Sequence, residues 1–227
     1  MRIFSFHSLK YASLILTGKT PSRKYAGQSE SQRIQERRER FLEAGLEIFG
    51  TVGLRGAKIR PLCKQAGLTE RYFYESFSNV EDLFCAVYQW QNNSIQTHLA
   101  KELPKLSEEI HQRTHKALDI FFTIMHNPRL VRILLLESMI GSEKVQAMHQ
   151  QTIRNSAKVA TQFIRMDNPE ISLPDEILET VAMAINGAVN TLVAQWMLEG
   201  YRTPQETIVT SATMAVKGIM AEIRNHQ

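Results

Sequence analysis

The segment AGLTERYFYESFSN, residues 66–79, combines four aromatic residues with an adjacent acid–base pair, Glu70 and Arg71. Phe73 and Phe77 are one helical turn apart, so they share one helix face and leave the tyrosines of the segment on the outside. A guanidinium can fork onto paired acceptors, a carboxylate accepts hydrogen bonds, and a tyrosine hydroxyl can donate to an anionic oxygen. These outward groups suit a hydrogen-bonding partner outside the chain.

The elements around this segment predict a helix-turn-helix. A short helix is expected over residues 59–65, with Pro61 in its first turn and Gly67 ending it. Thr69 is the expected N-cap of the next short helix. In a helix-turn-helix, the second helix enters the major groove of DNA. An ordinary helical hairpin with surface tyrosines gives the same pattern, so this alternative stays open.

On the DNA-binding interpretation, the second helix presents its early exposed residues to base edges and phosphates. Arg71 can fork onto a guanine, and Glu70 can accept a hydrogen bond from a cytosine. Alternatively, Arg71 pairs with Glu75, one turn further along the helix. The residues predicted to face DNA from this helix and its cap are Thr69, Glu70, Arg71, Tyr72 and Tyr74.

The distribution of charge agrees with a polyanionic partner. The formal net charge is +4, and the first 88 residues hold 14 Lys and Arg against 9 Asp and Glu, whereas the remainder holds 13 against 14. A basic first part beside a near-neutral second part is typical of a polyanion-binding module joined to another domain. Five basic residues are expected near the DNA: Arg37, Arg38, Lys58, Arg60 and Lys64.

Residues 40–88 resemble the DNA-binding domain of TetR-type (tetracycline-repressor-like) transcriptional regulators. The resemblance rests on FLEAGLEIFGTVGLRGAKI, AGLTERYFYESF and SNVEDLF. It implies a DNA-binding regulator, and it adds Ser76 and Asn79 to the expected DNA contacts.

Some positions depart from the family pattern. Val80 stands where the family usually has a lysine that touches a phosphate, and Lys58 or Arg60 is expected to replace that contact. Arg71 replaces a common glycine, which implies a base preference unlike the family average. Tyr74 matches a tyrosine that contacts phosphate in the family.

Helical periodicity continues along the chain and predicts an all-α protein with about nine helices. Residues 1–30 are expected to be a disordered or loosely ordered extension. Residues 31–88 would form the three-helix DNA-binding domain. Residues 89–227 would form the larger helical domain that, in TetR-type proteins, binds a ligand and dimerises.

The segment VAMAINGAVNTLVAQWML, residues 181–198, contains no charged residue and approaches the length of a membrane span. Its amide and hydroxyl side chains argue against a lipid-facing helix, because unmet polar groups are costly in hydrocarbon. Burial on two sides explains the composition better. In TetR-type proteins the last two helices pack against their copies, so we expect a homodimer through residues 174–198 and 204–224, with Ala212 at the interface.

The resemblance also implies a pocket for a small molecule in the second domain. Asn186 and Asn190 are favoured because buried amides need partners, although a hydrogen bond between helices would also satisfy them. For each apolar candidate taken singly, a place in the core is the favoured interpretation. The predicted ligand-contacting residues are Tyr88, Phe122, Met125, Asn186, Asn190 and Trp196.

The sequence gives little support for catalysis or for metal binding. One helix carries four residues whose spacing could hold a divalent metal: Glu108, His111, His115 and Asp119. They fall opposite an apolar stripe, which favours a solvated face. Because no catalytic triad, phosphate loop or dinucleotide glycine pattern is present, we predict no enzyme activity, no metal and no cofactor. Cys63 and Cys85 are expected to be small buried apolar residues in a reducing compartment.

The sequence therefore predicts a cytoplasmic, homodimeric transcriptional repressor. Its partners would be a palindromic double-stranded DNA site and a small hydrophobic or amphipathic effector that releases the protein from DNA, with no membrane involved. One alternative is a DNA-binding activator or architectural regulator without an effector. Another is an α-helical enzyme with an incidental helix-turn-helix.

Overall fold

The computed structural model describes residues 29–103 and 110–225. The expected extension up to residue 28 and Glu108 lie outside these residues. The described chain folds into nine helices without a strand, which confirms the predicted all-α class. The helices are α1 (Glu30–Gly56), α2 (Ile59–Ala66), α3 (Glu70–Ser76), α4 (Val80–Glu102), α5 (Ile110–Met125), α6 (residues 128–140), α7 (Glu143–Asp167), α8 (Asp175–Leu198) and α9 (Gln205–Asn225).

The described residues form two compact units. The first contains residues 29–103 and 132–134, and the second contains residues 110–131 and 135–225. In the first unit α1 packs against α2, α3 and α4. The centre of this unit is aromatic, since Phe41 lies edge-on to Phe73 with 5.4 Å between ring centroids, and Phe49 contacts Phe84 at 5.2 Å in the same manner. All four of these side chains are fully buried.

Two glycines allow α1 its close contacts. Gly45 faces α4, and a Cβ atom there would lie 2.7 Å from Cγ2 of Val87. Gly53 has a φ of 75°, which interrupts α1 before its last turn. The sequence predicts the end of this helix near residues 50–53, but the chain resumes helical geometry up to Gly56.

The turn between α2 and α3 depends on Gly67, which adopts the left-handed conformation with φ 63° and ψ 37°. The Leu68 amide donates to the Cys63 carbonyl at 3.0 Å, which closes the end of α2. Arg40 donates from Nη2 to the Gly67 carbonyl at 3.1 Å, and a Cβ at Gly67 would lie 2.7 Å from that nitrogen. The turn therefore needs glycine for both its conformation and its space.

The two cysteines differ in burial. Cys63 is buried on α2 as predicted, and burial, followed by the charge of Glu70, raises the pKa of its thiol. Cys85 on α4 is only partly buried. Neither cysteine forms a disulfide.

The middle of α6 departs from ordinary α-helical geometry. Residues Pro128–Val131 and Ser138–Ile140 are α-helical, whereas Arg132–Glu137 between them form a π-helix, which the sequence periodicity did not predict. Within the first unit, Arg132 donates from Nη1 to the Thr51 carbonyl at 2.8 Å. This hydrogen bond satisfies a carbonyl close to the interruption of α1 at Gly53.

In the second unit, α8 packs against α7 and α9, and α9 packs against α5. The loop between α7 and α8 is held by Arg165, which donates to both Asp175 and the carbonyls of Ile171 and Leu173. Ile171 and Leu178 are buried beside Ile223 of α9.

An aromatic cluster closes the turn between α8 and α9. The Trp196 ring stacks on His126 with 5.0 Å between centroids and lies edge-on to Phe122 at 6.0 Å and to Tyr201 at 4.9 Å. The Trp196 indole donates to the Thr203 carbonyl at 2.7 Å, and the Tyr201 hydroxyl donates to the Met125 carbonyl at 3.2 Å. Burial raises the pKa of Tyr201 to about 12.

The polar face of α5, predicted to be solvated, is partly covered by the start of α9. His115 Nε2 lies 3.5 Å from the Glu206 carboxylate, and Asp119 Oδ1 accepts a hydrogen bond of 2.7 Å from Gln205. Glu108 and the side chain of His111 lie outside the described residues. Among the residues that are described, no three His, Cys, Asp or Glu side chains come together as a metal site.

Candidate nucleic-acid interface

The predicted recognition helix is α3, and its two phenylalanines anchor it to the first unit. Phe73 is fully buried and Phe77 is 5% exposed, as their spacing predicted. Tyr74, between them in sequence, is 58% exposed. The helix has only seven residues, so its own hydrogen bonds cannot hold its orientation and the packing of the phenylalanines must do so.

Arg38 of α1 fixes the C-terminal end of α3. Its Nη1 donates to the Ser76 carbonyl at 3.0 Å, and its guanidinium lies 4.4 Å from the centre of the Phe77 ring. A cation at this end of a helix also interacts favourably with the helix dipole. The sequence assigned Arg38 to the DNA-facing surface, but its guanidinium is engaged within the unit.

Arg37 reaches the middle of α3. Its guanidinium lies 4.3 Å from the centre of the Tyr72 ring, and Nη2 lies 3.4 Å from Glu75 Oε2. Tyr72 is consequently half-buried. Like Arg38, Arg37 is used inside the protein, and no sequence signal predicted this because the residues it contacts are more than 30 positions away.

Arg71 is 86% exposed, and its Nε lies 3.3 Å from Glu75 Oε1. This is the alternative pairing that the spacing of the two residues predicted. The side chains around Arg71 border an open cleft of about 460 Å³ at the edge of α3. Its lining includes Glu30, Arg33 and Ile34 of α1, together with Arg37, Arg71, Tyr72 and Glu75.

The remaining predicted contacts lie around the ends of α2 and α3. Lys58 is exposed at the N-cap of α2 and makes no capping hydrogen bond with its side chain. Arg60 Nε lies 3.2 Å from Glu70 Oε1, and this exposed ion pair joins α2 to α3. Thr69 occupies the N-cap position as predicted, and its hydroxyl makes no capping hydrogen bond.

Two predicted contacts have structural roles at the end of α3. Ser76 is half-buried and provides the carbonyl that Arg38 holds. Asn79 caps α4, since its Oδ1 accepts a hydrogen bond of 2.8 Å from the Asp82 amide. The exposed set around α2 and α3 is therefore narrower than predicted: Lys58, Arg60, Lys64, Thr69, Glu70, Arg71 and Tyr74, with Asn79 at its edge.

The six predicted ligand-contacting residues are divided between the two units. Tyr88 is buried in the first unit, whereas the other five belong to the second unit. Phe122, Met125 and Trp196 are packed in or beside the aromatic cluster. Asn186 and Asn190 bond to each other within α8 through Nδ2 and Oδ1 at 2.8 Å.

A groove of about 210 Å³ in the second unit contains none of those six residues. It runs between α5, α7, α8 and α9, and its lining is mostly apolar with two basic side chains. Residues that form it include Phe163, Ile164, Ile185, Met220, Lys217 and Arg224. Because they come from three helices distant in sequence, no periodicity could have grouped them.

Comparison with known proteins identifies the class of this fold. Residues 41–87 match the family described as bacterial regulatory proteins, tetR family. No curated protein matches the chain. Among solved structures, the fatty acid degradation regulator FadR from Bacillus halodurans has a TM-score of 0.69 at 12% identity, over 87% of this chain and 97% of that one.

Two further structures have the same fold. A tetR-family transcriptional regulator from Streptomyces coelicolor has a TM-score of 0.67 at 16% identity, over 85% of this chain and 84% of that one. FadR from Bacillus subtilis, solved in complex with stearoyl-CoA, has a TM-score of 0.64 at 13% identity, over 78% of this chain and 95% of that one. The resemblance seen in the sequence is thus confirmed for residues 41–87, which match the tetR family, and the described chain has the fold of these solved structures.

The geometry separates the basic residues by their expected effect on the salt dependence of DNA binding. Lys58 and Lys64 are exposed, and each is expected to contribute about −0.9 to the slope of log affinity against log salt if it contacts a phosphate. We expect Lys58→Gln and Lys64→Gln each to reduce the slope by about that amount. Fluorescence anisotropy of labelled DNA between about 50 and 200 mM salt would measure it.

Arg38→Gln serves as the comparison, because Arg38 is engaged with Ser76 and Phe77. It should weaken binding to all DNA sequences by loosening α3 while leaving the slope unchanged. If the Lys58 and Arg38 variants had equal slopes of log affinity against log salt, the distinction between phosphate-contacting and structural cations would be wrong.

Proposed function

We propose that the protein is a cytoplasmic, dimeric transcriptional repressor that binds a palindromic DNA site and is released by an amphipathic effector. The main support is α3, a short helix buried through Phe73 and Phe77 whose opposite side exposes Arg71 and Tyr74 within the tetR-family segment. A dimer would present two such helices about 34–36 Å apart, at one turn of DNA. Gel-shift assays on the DNA upstream of its own gene test this function, and absence of any specific complex would refute it.

The last two helices support the homodimer. By length and composition, α8 is long and apolar enough to span a membrane, but only 17% of its most apolar window is buried within the protomer. Its exposed side includes Thr191 and Gln195, whose polar groups are costly in hydrocarbon. A second copy of the chain is the better cover, because Cβ atoms added at Gly187 and Gly218 would meet nothing within 4 Å and both sites allow close approach.

The sequence placed Ala212 at the dimer interface, but this residue does not fit the proposed interface. Ala212 is 1% exposed and packs inside its own protomer, so a charge there would disturb the second unit itself. The exposed apolar residues at the same face include Met214 at 69% and Leu198 at 66%.

We expect Gly187→Arg and Gly218→Arg to produce monomers, because an arginine at either position would place a charge in the helix–helix contact. Light scattering at micromolar concentration measures the assembly. DNA affinity should fall in parallel, since a monomer reaches only one half-site. Gln150→Arg, an exposed position of α7, adds the same charge elsewhere and should leave the dimer intact. Stable dimers of both glycine variants would exclude this interface.

For the effector we propose the groove between α5, α7, α8 and α9. Its apolar lining suits an acyl chain, and Lys217 and Arg224 supply positive charge for an anionic group. The likeness to the FadR structure that contains stearoyl-CoA supports the same class of compound. Asn186 and Asn190, half-buried on α8, do not line this groove, so the contacts predicted for them would belong to a separate site. An effector that binds one helix arrangement better than the DNA-bound arrangement shifts the population away from DNA.

Stearoyl-CoA is therefore expected to release the protein from DNA, as measured by anisotropy during a titration. Ile185→Trp should fill the groove and abolish release without weakening DNA binding. Lys217→Gln combined with Arg224→Gln should raise the half-effective concentration roughly tenfold or more, because charge-assisted hydrogen bonds would be lost. Lys158→Gln, an exposed lysine of α7 outside the groove, is the matched control. Unchanged release in the groove variants would move the effector site elsewhere.

Substitutions at Arg71 and Tyr74 are expected to have different effects on DNA affinity and base preference. If Arg71 forks onto a guanine, Arg71→Ala should cost about 1–3 kcal/mol on the cognate site and relax preference at one base pair per half-site. Tyr74→Phe should weaken all sequences by a similar factor, because a phosphate contact carries no sequence information. Selections on randomised duplexes measure both. If Arg71→Ala retains every base preference, specificity comes from another residue or from DNA shape.

A further inference from the structure

The Glu75 carboxylate lies between two guanidinium groups on the outer side of α3. Its Oε1 is 3.3 Å from Arg71 Nε, and its Oε2 is 3.4 Å from Arg37 Nη2. The two arginines differ greatly in exposure, since the Arg37 side chain is 23% exposed and that of Arg71 is 86% exposed. Glu75 itself is 36% exposed. It therefore connects a cation fixed inside the domain to one that projects from its surface.

Arg37 is well fixed. It stacks on the Tyr72 ring at 4.3 Å in addition to its ion pair with Glu75, and it belongs to α1, the central helix of the first unit. A carboxylate held by such a cation has fewer orientations open to it than one that faces solvent. An isolated exposed ion pair adds little stability, so the pair between Glu75 and Arg71 has little effect on folding. Its effect is on the direction of the Arg71 side chain.

The geometry of the pair leaves Arg71 able to read a base. Glu75 contacts Nε, and the terminal Nη1 and Nη2 groups are the ones that fork onto O6 and N7 of a guanine. A side chain already held in one orientation loses less rotamer freedom when it binds. The acidic charge beside it also repels phosphates, so contacts that lack the correct base are penalised.

We propose that Glu75 is a specificity-determining positioning residue: it orients Arg71 toward one base pair of each half-site through the relay Tyr72–Arg37–Glu75–Arg71. This inference rests on the proposed DNA binding and on base reading by Arg71. It assigns to Glu75 an effect on sequence preference although Glu75 contacts no base. The same carboxylate lowers affinity for non-specific DNA.

The test is a two-residue mutant cycle on the full-length dimer, read by selection on randomised duplexes and by anisotropy on cognate and unrelated DNA. Glu75→Ala should reduce preference at the base pair read by Arg71 by about 2- to 10-fold, the range expected from losing the order of one long side chain. It should also tighten binding to unrelated DNA. In the Arg71→Ala background, Glu75→Ala should change that preference no further, because the residue it positions is absent.

Glu75→Gln is the conservative variant. It keeps an oxygen that can accept from Arg71 Nε, so it should retain part of the preference while still losing the penalty on unrelated DNA. A merely structural role for Glu75 would lower affinity for all sequences equally and would leave the preference unchanged. Thermal unfolding of each variant verifies that the first unit stays folded.

The possible outcomes distinguish a failure of the proposed DNA-binding function from a failure of the role assigned to Glu75. If the wild type selects no DNA sequence, the proposed function fails. If it selects a site but Arg71→Ala keeps all base preferences, Arg71 recognises no base. Glu75 then cannot act through Arg71, and the inference is overturned. If Arg71→Ala relaxes one base pair while Glu75→Ala does not, or if the two effects add fully, Glu75 does not act through Arg71 and the inference is likewise wrong.

Discussion

A seven-residue helix cannot hold its own orientation, and this constraint explains much of the first unit. Several contacts that orient α3 come from α1. Phe41 packs edge-on against Phe73 and Phe77, and Arg38 binds the carbonyl at the end of the helix. Arg37 holds its outer side through Glu75. Because α1 is also the helix against which α2 and α4 pack, the position of the recognition helix depends on the whole unit.

Three arginines of α1 bind different parts of the helix-turn-helix. Arg40 binds the Gly67 carbonyl in the turn, Arg38 binds the end of α3, and Arg37 contacts its middle. They occupy neighbouring positions on the same helix, so they act as a row of donors along the helix-turn-helix. The net positive charge of this region is therefore not all available to DNA. Exposed cations remain around α2, at Lys58, Arg60 and Lys64, and on α3 at Arg71.

The second unit follows a different constraint, since its most apolar helix keeps an exposed face. Gly187 and Gly218 face outward on α8 and α9, where an added Cβ atom would meet nothing within 4 Å. Such a surface is costly in water, and covering it with an identical surface would remove that cost. The aromatic cluster around Trp196 and the bonds from Arg165 hold the ends of α8 in place.

Much of this protein was determined by local sequence. The spacing of Phe73 and Phe77 indicated which side of α3 is buried, and Gly67 marked the turn because few other residues adopt its left-handed conformation. The i, i+4 spacing of Arg71 and Glu75 predicted their pairing. Periodicity predicted nine helices and their approximate bounds, since burial of an apolar stripe is a property of one helix at a time.

Tertiary structure decided what each exposed or polar residue does. Arg37 and Arg38 were expected at the DNA and instead hold α3. The face of α5 around His115 and Asp119 was expected in solvent and is partly covered by α9, while Ala212, expected at a dimer interface, is buried within the second unit. The reason is the same in each case. The partner of a long or polar side chain lies on another helix, and the distance in space between two helices is set by packing, which a one-dimensional pattern does not contain.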